Sequence, residues 1–562
     1  MTLARERSLA ERLSSHSRAE GSEEGGYDGV KSPVVPGFLE DGALRPGGPP
    51  SYTSPAVLGL LAQYVCVGLL YGALPNLGYP LFTAYFRLSG ARYNATTALI
   101  SIGWSLKVFV GMLSDCVPIL GFRRKPWMII GWVLCFVCML VLSIQDHGPP
   151  YVDNPKLARA NVTNFTAAEQ AAFLRPSAHH NGSMIAIIFG IATFCYIIAD
   201  VPADALVVEL AQREPEATRG RMQSLIYTTR TVASVVAQIV IGLGLNSPAY
   251  GGSFSWDMGM NTLFVLLAIP CAAMVPITFY FVVDAPAPRV SFHQYLEQFW
   301  SLLIQRATWQ VMLFNFLFNL FASGITSTAA PYVKFRWAEV DNLNIQFMTI
   351  LSNLLFAGAL AATGRWGTHW NWRFVIVVTT LVMNGIDAVV QYLTIYNVIR
   401  NQWFYLGVPL AEQLPYAMQF IVTTFVIVEL AEVGNEGVTY GLLTTVNNLP
   451  TAFGPLLANI IFGSFHVSDS DLQRDTMEAR NQVAATYAIY YATTVVACFW
   501  VVLLPAQKEH VHELKATGGH YPLVGGLVVV GTGASLVFSL VVSVMSMFDS
   551  TSCSIVTGGT GC

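Results

Sequence analysis

Four charged residues fall inside otherwise apolar stretches of the N-terminal half of the sequence: Lys107, Asp200, Asp204 and Arg230. A charge within a membrane-spanning helix is costly, so it usually faces a cavity or a partner of opposite sign. The two cations could hold a carboxylate or phosphate, and the two carboxylates could hold an amino-bearing ring or take up a proton. The set therefore favours a site for a zwitterionic or anionic small solute. The alternative is that the four charges only neutralise one another.

Helical geometry predicts a similar depth for these four side chains. Counted from the predicted helix ends at about 1.5 Å per residue, Lys107 and Arg230 lie roughly 12 Å deep, Asp204 roughly 10 Å and Asp200 roughly 16 Å. Asp200 and Asp204 are four residues apart, so they share one face of a helix. Pro202 between them frees a backbone carbonyl, and we expect it to open that helix locally.

Two further carboxylates, Asp387 and Glu412, are predicted inside helices of the C-terminal half, nearer the outer side. Either could couple transport to protons, because desolvation favours the protonated form of a carboxylate. The alternative is that both are solvated at the mouth of a cavity. Pro409 and Pro415 flank Glu412, which predicts an irregular helix at that point.

The two halves of the sequence contain a short internal repeat. The segment Val208–Ala211 is matched by Val428–Ala431, and Glu216 is matched by Glu436, with an offset of 220 residues throughout. A glutamate therefore ends one predicted helix of each half in the same way. Two six-helix halves related by an axis along the membrane normal are the plan of the major facilitator fold.

A second set of charges lies at the predicted helix ends. Asp115 ends one helix and precedes a basic cluster at 123–125, and Arg219 and Arg221 follow another helix. An ion pair between Asp115 and Arg219 or Arg221 could latch one conformation and break in the other. The alternative is a plain cytoplasmic anchor of positive charge. The residues assigned to the latch are Asp115, Arg123, Arg124, Glu209, Arg219, Arg221 and Glu429.

Composition places the chain in the membrane. Of its 562 residues, 54% are hydrophobic and only 11% are charged, against roughly 25% charged in ordinary globular proteins. The net charge of −4 gives no reason to expect nucleic acid as a partner. The sequence lacks a phosphate-binding GxxxxGK[ST] loop, an HExxH motif and paired CxxC motifs. We therefore expect that the protein binds no cofactor and is not an enzyme.

Runs of about 20 apolar residues predict an all-α membrane protein of twelve transmembrane helices. The predicted spans are 56–78, 94–114, 126–145, 183–211, 222–245, 259–283, 309–330, 343–364, 374–396, 404–431, 438–464 and 483–504, and 523–547 is a possible thirteenth. The predicted organisation is a disordered cytoplasmic tail (1–50), a six-helix half (51–283), a central cytoplasmic loop (284–307), a second half (308–505) and a C-terminal tail (506–562).

The predicted orientation has the N-terminus inside, because the basic cluster at 123–125 then faces the cytoplasm. The sequons at Asn161 and Asn164 fall on the opposite side, so both are candidate glycosylation sites. Whether the membrane is the plasma membrane or an internal one stays open.

The run Ala199–Ala211 followed by Arg219–Ser224 resembles the folate–biopterin transporter family of major facilitators. Lys107 with Asp115, and the run Gly121–Trp127, carry the same resemblance. The resemblance covers residues 55–505 and is strongest from 100 to 245.

This resemblance implies secondary transport of folates or pterins, coupled to protons, through a cavity lined by Lys107, Asp200, Asp204 and Arg230. The residues themselves indicate only a charged small solute. A carrier of another organic solute such as S-adenosylmethionine, or a receptor that binds solute without moving it, stays open as an alternative.

Overall fold

A computed structural model of the chain describes most of the sequence from residue 42 onward. The described residues are 42–88, 96, 100, 103–104, 106–158, 165–286, 292–340, 342–432, 435–450, 458, 461–462, 465–467, 472, 475–545, 551 and 554. Within these ranges the regular structure is helical, and strand pairing is limited to isolated bridges. This agrees with the predicted all-α class.

The N-terminal half contains six principal helices, and α1 continues through a 3₁₀ turn into a π-helical segment that ends at Tyr85. The six are α1 (Pro55–Ala73), α2 (Lys107–Cys116), α3 (Lys125–Ile144), α4 (Ser177–Ala211), α5 (Arg221–Gly244) and α6 (Gly259–Phe281).

Nine more helices of at least ten residues follow in the described remainder of the chain. They are α7 (Phe292–Ile304), α8 (Arg306–Asn319), α9 (Asn342–Trp366), α10 (Trp372–Ile395), α11 (Gln413–Leu430), α12 (Glu436–Asn448), α13 (Met477–Phe499), α14 (Lys508–Thr517) and α15 (Pro522–Met545).

Local sequence explains where several of these helices begin. Ser54 caps α1 by accepting a hydrogen bond from the Val57 amide, and the proline at Pro55 suits the first helical position. Asn371 and Thr476 cap α10 and α13 in the same way. These caps satisfy backbone amides that would otherwise lack a partner.

Each half has its own apolar core, and two main helix pairs join the halves. In the N-terminal half α1 packs on α5, and α3 packs on α4 and α6; in the C-terminal half α10 packs on α11 and α13. The halves meet where α2 packs on α12 and where α5 packs on α9. Apolar side chains on the outer face of α3, such as Val133, Val137 and Leu140, are exposed and are suited to contact lipid.

Nine helices within the described ranges are long and apolar enough to cross a membrane, and each corresponds to one predicted span. The predicted spans 94–114, 309–330 and 438–464 are not among them, because they contain either shorter helices or residues outside the described ranges. The extra run 523–547 forms α15, whose apolar stretch is shorter than the nine. A multi-pass membrane protein is confirmed, while the count of twelve stays a prediction.

Two local expectations at prolines had different outcomes. The helix is irregular before Glu412, as predicted, since Val408–Glu412 is a 3₁₀ turn between two α-helical segments. The expectation that Pro202 opens α4 is wrong, because α4 runs unbroken through it. The residues from Ala199 to Val208 are all buried, and this packing on every side holds the helix together.

Candidate functional site

Lys107 on α2 and both aspartates of α4 form a buried charge cluster. The Lys107 Nζ lies 2.6 Å from Asp200 Oδ2 and 2.8 Å from Asp204 Oδ2, and the Tyr64 hydroxyl donates to Asp204 Oδ1 at 2.6 Å. The three charged side chains are each at most 3% exposed. The structure thus brings these three residues together with one cation between two carboxylates, which is the mutual neutralisation considered as the alternative, and their role in binding stays a prediction.

The charge cluster lies where the two halves meet. Lys107 is 4.6 Å from the centroid of the Trp104 ring and 5.5 Å from that of Tyr440, which belongs to α12 of the C-terminal half. The hydroxyl of Tyr440 in turn contacts the hydroxyl of Tyr227 on α5. Because the cluster has a neighbour on each half, a relative movement of the halves would change its surroundings.

Arg230 on α5 stands apart from this cluster. Its guanidinium carbon lies 4.7 Å from the ring centroid of Tyr227 and 5.2 Å from that of Tyr71, so it is held between aromatic faces. Among the described residues no side chain or backbone oxygen accepts a hydrogen bond from it, and the residue is only half-buried. Arg230 is thus a cation near the helix interface whose donors remain available to a ligand.

Aromatic side chains from both halves continue the wall on which Arg230 lies. Tyr71 meets Trp104 at a centroid distance of 5.4 Å, and Tyr227 meets Phe420 of α11 at 5.0 Å. Phe356 of α9 packs on Phe420 at 5.7 Å. Flat aromatic surfaces beside a cation suit a ligand that has both a planar ring and an anionic group.

The two carboxylates of the C-terminal half do not join this site. Asp387 accepts hydrogen bonds from Gln391 at 3.0 Å and from the Tyr491 hydroxyl at 2.9 Å. Glu412 is half-buried, and its Oε1 has no hydrogen-bond partner among the described residues. The sequence identified both as carboxylates inside the helical region, and the structure surrounds Asp387 with its own polar partners.

At the predicted cytoplasmic end, a network of ion pairs joins the two halves. Arg124 binds Asp115 of its own half and also donates to Glu436 Oε2 of α12 at 2.8 Å. Arg45 contacts Glu209 at 2.9 Å and pairs with Glu436 as well. We call these five residues the latch cluster. It is buried at Asp115, Arg124 and Glu436, so its charges depend on one another for solvation.

A second ion pair crosses between the halves nearby. Arg219, in the loop after α4, donates to both carboxylate oxygens of Glu429 at 2.8 Å each. Gln212 adds a hydrogen bond to the Ala431 carbonyl at 2.8 Å. Glu429 is the C-terminal member of the repeated glutamates, and its N-terminal counterpart Glu209 lies in the latch cluster. Of this pair of glutamates, Glu429 therefore binds the opposite half, whereas Glu209 binds Arg45 and Arg124 of its own half.

The pairing within this network corrects the sequence-based assignment. Asp115 was expected to pair with Arg219 or Arg221, but its partner is Arg124, and Arg219 binds Glu429 instead. Neither Arg123 nor Arg221 has an ion pair among the described residues, so their assignment to the latch is not supported. Arg124 directly precedes α3, and the short loop between α2 and α3 places it beside Asp115.

Three contributors to this end of the molecule were not identified from the sequence. Arg45 belongs to the segment predicted to be a disordered tail, yet its amide donates to the Gln212 carbonyl at 3.1 Å. Lys508 and His512 lie on α14, outside the region of resemblance. The Lys508 ammonium donates to the Glu216 and Arg219 carbonyls at 2.7 and 2.8 Å, and burial lowers the pKa of Lys508 to about 8.

The helix α14 contacts both halves through these side chains. His512 Nε2 lies 2.8 Å from Glu429 Oε2, next to the Arg219 contact, while Lys508 binds the loop of the N-terminal half. The repeated glutamates of the sequence mark Glu436 as a candidate member of this network. The pattern of charges gives no sign that side chains of the C-terminal tail contribute to it.

Close backbone contact between α2 and α12 accompanies the ion pairs. A Cβ added to Gly111 would lie 2.7 Å from the Gly437 carbonyl carbon and 2.9 Å from the Val438 Cα. One added to Gly437 would lie 3.0 Å from Asp115 Oδ1. The amide of Val438 donates to Asp115 Oδ2 at 2.8 Å, so the carboxylate also meets the start of α12.

We expect Gly111→Val to separate α2 from α12, because backbone atoms on both sides cannot yield to a larger side chain. Labelling of a cysteine introduced at Thr444 by an impermeant maleimide, applied from the cytoplasmic side, should then rise. Gly242→Val is the matched control, since nothing lies within 4 Å of a Cβ at that position. Equal labelling in the two variants would show that this contact does not close the cytoplasmic end.

The sequon asparagines Asn161 and Asn164 lie outside the described residues, so their glycosylation stays a prediction.

Comparison with known proteins agrees with this architecture. The chain matches the BT1 family over residues 73–168 and 157–507. A folate-biopterin transporter of Synechocystis sp. is 23% identical over 426 residues, which are 73% of this chain and 75% of that protein. A probable folate-biopterin transporter 4 of Arabidopsis thaliana is 24% identical over 30% of this chain and 26% of that protein.

Among solved structures, the major facilitator proton:xylose symporter XylE, bound to 6-bromo-6-deoxy-D-glucose, is similar with a TM-score of 0.52. It is 14% identical, and the match covers 82% of this chain and 98% of that one. At this identity the likeness concerns the fold alone.

By its fold and its relatives, the chain is a multi-pass membrane transporter of a small molecule with the major facilitator fold, and not an enzyme. The chain belongs to the BT1 family, to which the resemblance in its N-terminal half had pointed.

Proposed function

We propose that this chain is a secondary transporter of folates or pterins, which moves its substrate by alternating access and couples that movement to protons. The observation that carries the proposal is Arg230, a cation held between two tyrosine rings with its donors unused by the described residues. The glutamate tail of a folate offers a carboxylate for this guanidinium, and its flat pterin ring suits the aromatic wall.

The charge cluster supports a role for the neighbouring carboxylates. Lys107 balances one of the two aspartates, so the three residues carry one net negative charge when both carboxylates are ionised. A buried excess charge is costly, and either a proton or the amino-bearing edge of a pterin would remove it. Binding at this cluster and at Arg230 would hold one solute at both ends.

Alternating access is supported by the nature of the contacts between the halves. The latch cluster and the Arg219–Glu429 pair join the halves at one end through ion pairs, which can break and reform as discrete units. The site lies above them, where α2, α4 and α5 meet α12. Rocking of one half against the other would open this end and expose the site to the cytoplasm.

The experiment that tests the proposal is uptake of labelled folic acid and labelled biopterin into cells that produce the chain, compared with cells that do not. We expect uptake of one or both, faster at mildly acidic than at neutral external pH. Absence of uptake, with the protein confirmed at the cell surface by labelling, would overturn the proposed substrates.

Proton coupling is tested separately through two pairs of carboxylates. We propose Asp200 and Asp204 as the proton site, because both carboxylates share the single Lys107 ammonium, which neutralises only one of them. Asp387 and Glu412 are the second candidate pair, since Glu412 Oε1 is buried without a partner there.

Replacing Asp200 with asparagine should remove the acceleration of uptake by acid, because the amide cannot take up the proton. Asp387→Asn and Glu412→Gln, measured in parallel, should retain it. If acid stimulation survives in Asp200→Asn and Asp204→Asn but is lost in either C-terminal variant, the second pair is the coupling site. Total uptake at neutral pH shows whether each variant still binds substrate.

A further inference from the structure

A cavity of about 560 Å³ opens on the side of the molecule between α5 and α9, one of the two helix pairs through which the halves meet. It lies at the predicted cytoplasmic end, because its lining includes the first residue of α5, Arg221, and the second-last residue of α9, Arg365. The cavity is separate from the substrate site, which lies deeper and around Arg230.

Arg221 and Arg365 are the two charged residues among those that line this cavity. Both side chains are exposed, and neither has an ion pair with any residue that the structure describes. Arg365 makes its ring contact with its own neighbour, Trp366, at 5.7 Å. One arginine belongs to the N-terminal half and the other to the C-terminal half, so a single anion between them would touch both halves.

The rest of the lining is largely apolar and faces sideways. Leu225 of α5 and Ala361 of α9 form opposite walls, and the close packing of Gly364 on Ser224 forms the floor. Toward the middle of the membrane, Leu354 of α9 is 46% exposed and Val232 of α5 is 44% exposed. The two arginines thus lie at the ends of helices that carry exposed apolar side chains, an arrangement suited to an amphiphile with an anionic head.

We propose that this cavity binds an anionic phospholipid of the cytoplasmic leaflet, with its phosphate between Arg221 and Arg365 and an acyl chain along the exposed apolar side chains of α5 and α9. Arginines at helix ends lie at the level of the lipid headgroups, and the cytoplasmic leaflet carries the anionic lipids. A soluble anion would find the same charges but would gain nothing from the apolar walls. This site goes beyond the proposed transport of folates or pterins.

A bound headgroup would act on the same movement as the ion pairs. Because it would contact both α5 and α9, it would favour the arrangement in which those helix ends lie together. It would do so from the membrane side, whereas the latch cluster lies at the contact of α2 with α12. Lipid composition would then bias the conformational equilibrium of the chain.

The test measures lipid binding to the purified full-length chain in detergent, by native mass spectrometry. Phosphatidylglycerol, phosphatidylcholine and inorganic phosphate are titrated onto the wild type and onto Arg221→Gln, Arg365→Gln and Arg336→Gln. The last is an exposed arginine outside the cavity and serves as the matched control. We expect preference for phosphatidylglycerol, weakened about fivefold by either cavity variant and unchanged in the control.

Three outcomes would overturn the proposal. One is equal binding of phosphatidylglycerol and phosphatidylcholine by the wild type. Another is unchanged binding in both cavity variants, provided that size-exclusion profiles show them folded, which we expect because both side chains are exposed. The third is inorganic phosphate that displaces the lipid at similar concentration, since the site would then take a soluble anion.

Discussion

Replacing Arg230 with alanine is expected to raise the KM for folate by roughly 10- to 100-fold, because a charge-assisted hydrogen bond contributes about 1.5–3 kcal/mol. The guanidinium lies between Tyr71 and Tyr227, and no described residue accepts a hydrogen bond from it. Its removal therefore costs the folded chain few contacts. Initial rates of labelled folate uptake over a range of concentrations give the measurement.

The chemistry of the substrate provides a sharper version of this experiment. Biopterin has the pterin ring but no carboxylate tail, so its uptake should depend less on Arg230 than folate uptake does. Arg230→Lys should recover part of the folate activity, because lysine keeps the charge but loses the planar fork that binds a carboxylate at two points. Arg336→Ala is the matched control, an exposed arginine away from the site.

A result against this role would be equal loss of folate and biopterin uptake in Arg230→Ala. Arg230 would then act on the aromatic wall that both substrates share, through Tyr71 and Tyr227, and not on an anionic group. Unchanged uptake of both would remove Arg230 from the site altogether.

The buried charges of the N-terminal half could be predicted from the sequence, because charged residues are rare in membrane-spanning helices. Lys107, Asp200 and Asp204 are costly in apolar segments, and the helical period alone puts both aspartates on one face. Their contact with Lys107, at 2.6 and 2.8 Å, agrees with the similar depth predicted for the three residues. The positions of Tyr71 beside Arg230 and of Tyr440 beside Lys107 could not be predicted, because aromatic residues are common throughout such helices.

The ion pairs at the predicted cytoplasmic end were harder to predict. Charged residues are common there, and any arginine is a plausible partner for a carboxylate. Asp115 binds Arg124 of its own loop, whereas Arg219 binds Glu429 of the opposite half. The repeat in the sequence marked Glu429 but could not say which cation it would meet. Arg45 lies in a polar segment without any periodic pattern, so no sequence signal connects it with Glu436.

A second large effect is expected when the ion pair between Arg219 and Glu429 is broken by substitution. Removal of one partner of a buried ion pair costs about 3–5 kcal/mol, whereas replacement of both by apolar residues is often nearly neutral. Both side chains here are 1% exposed, and Arg219 spans both carboxylate oxygens. In Arg219→Met, the Glu429 carboxylate would be buried without this partner. Conformations in which water reaches Glu429 avoid that cost, so we expect this variant alone to open the predicted cytoplasmic end.

The double variant Arg219→Met with Glu429→Met should close that end again, at least in part. The measurement is maleimide labelling of a cysteine introduced at Thr444, from the cytoplasmic side, in the wild type, both single variants and the double variant. His512 also contacts Glu429, so it can shield the carboxylate in Arg219→Met, and His512→Ala should increase the effect of that variant. If the labelling changes of the single variants simply add in the double variant, the two residues are not coupled, and the pair does not hold the halves together.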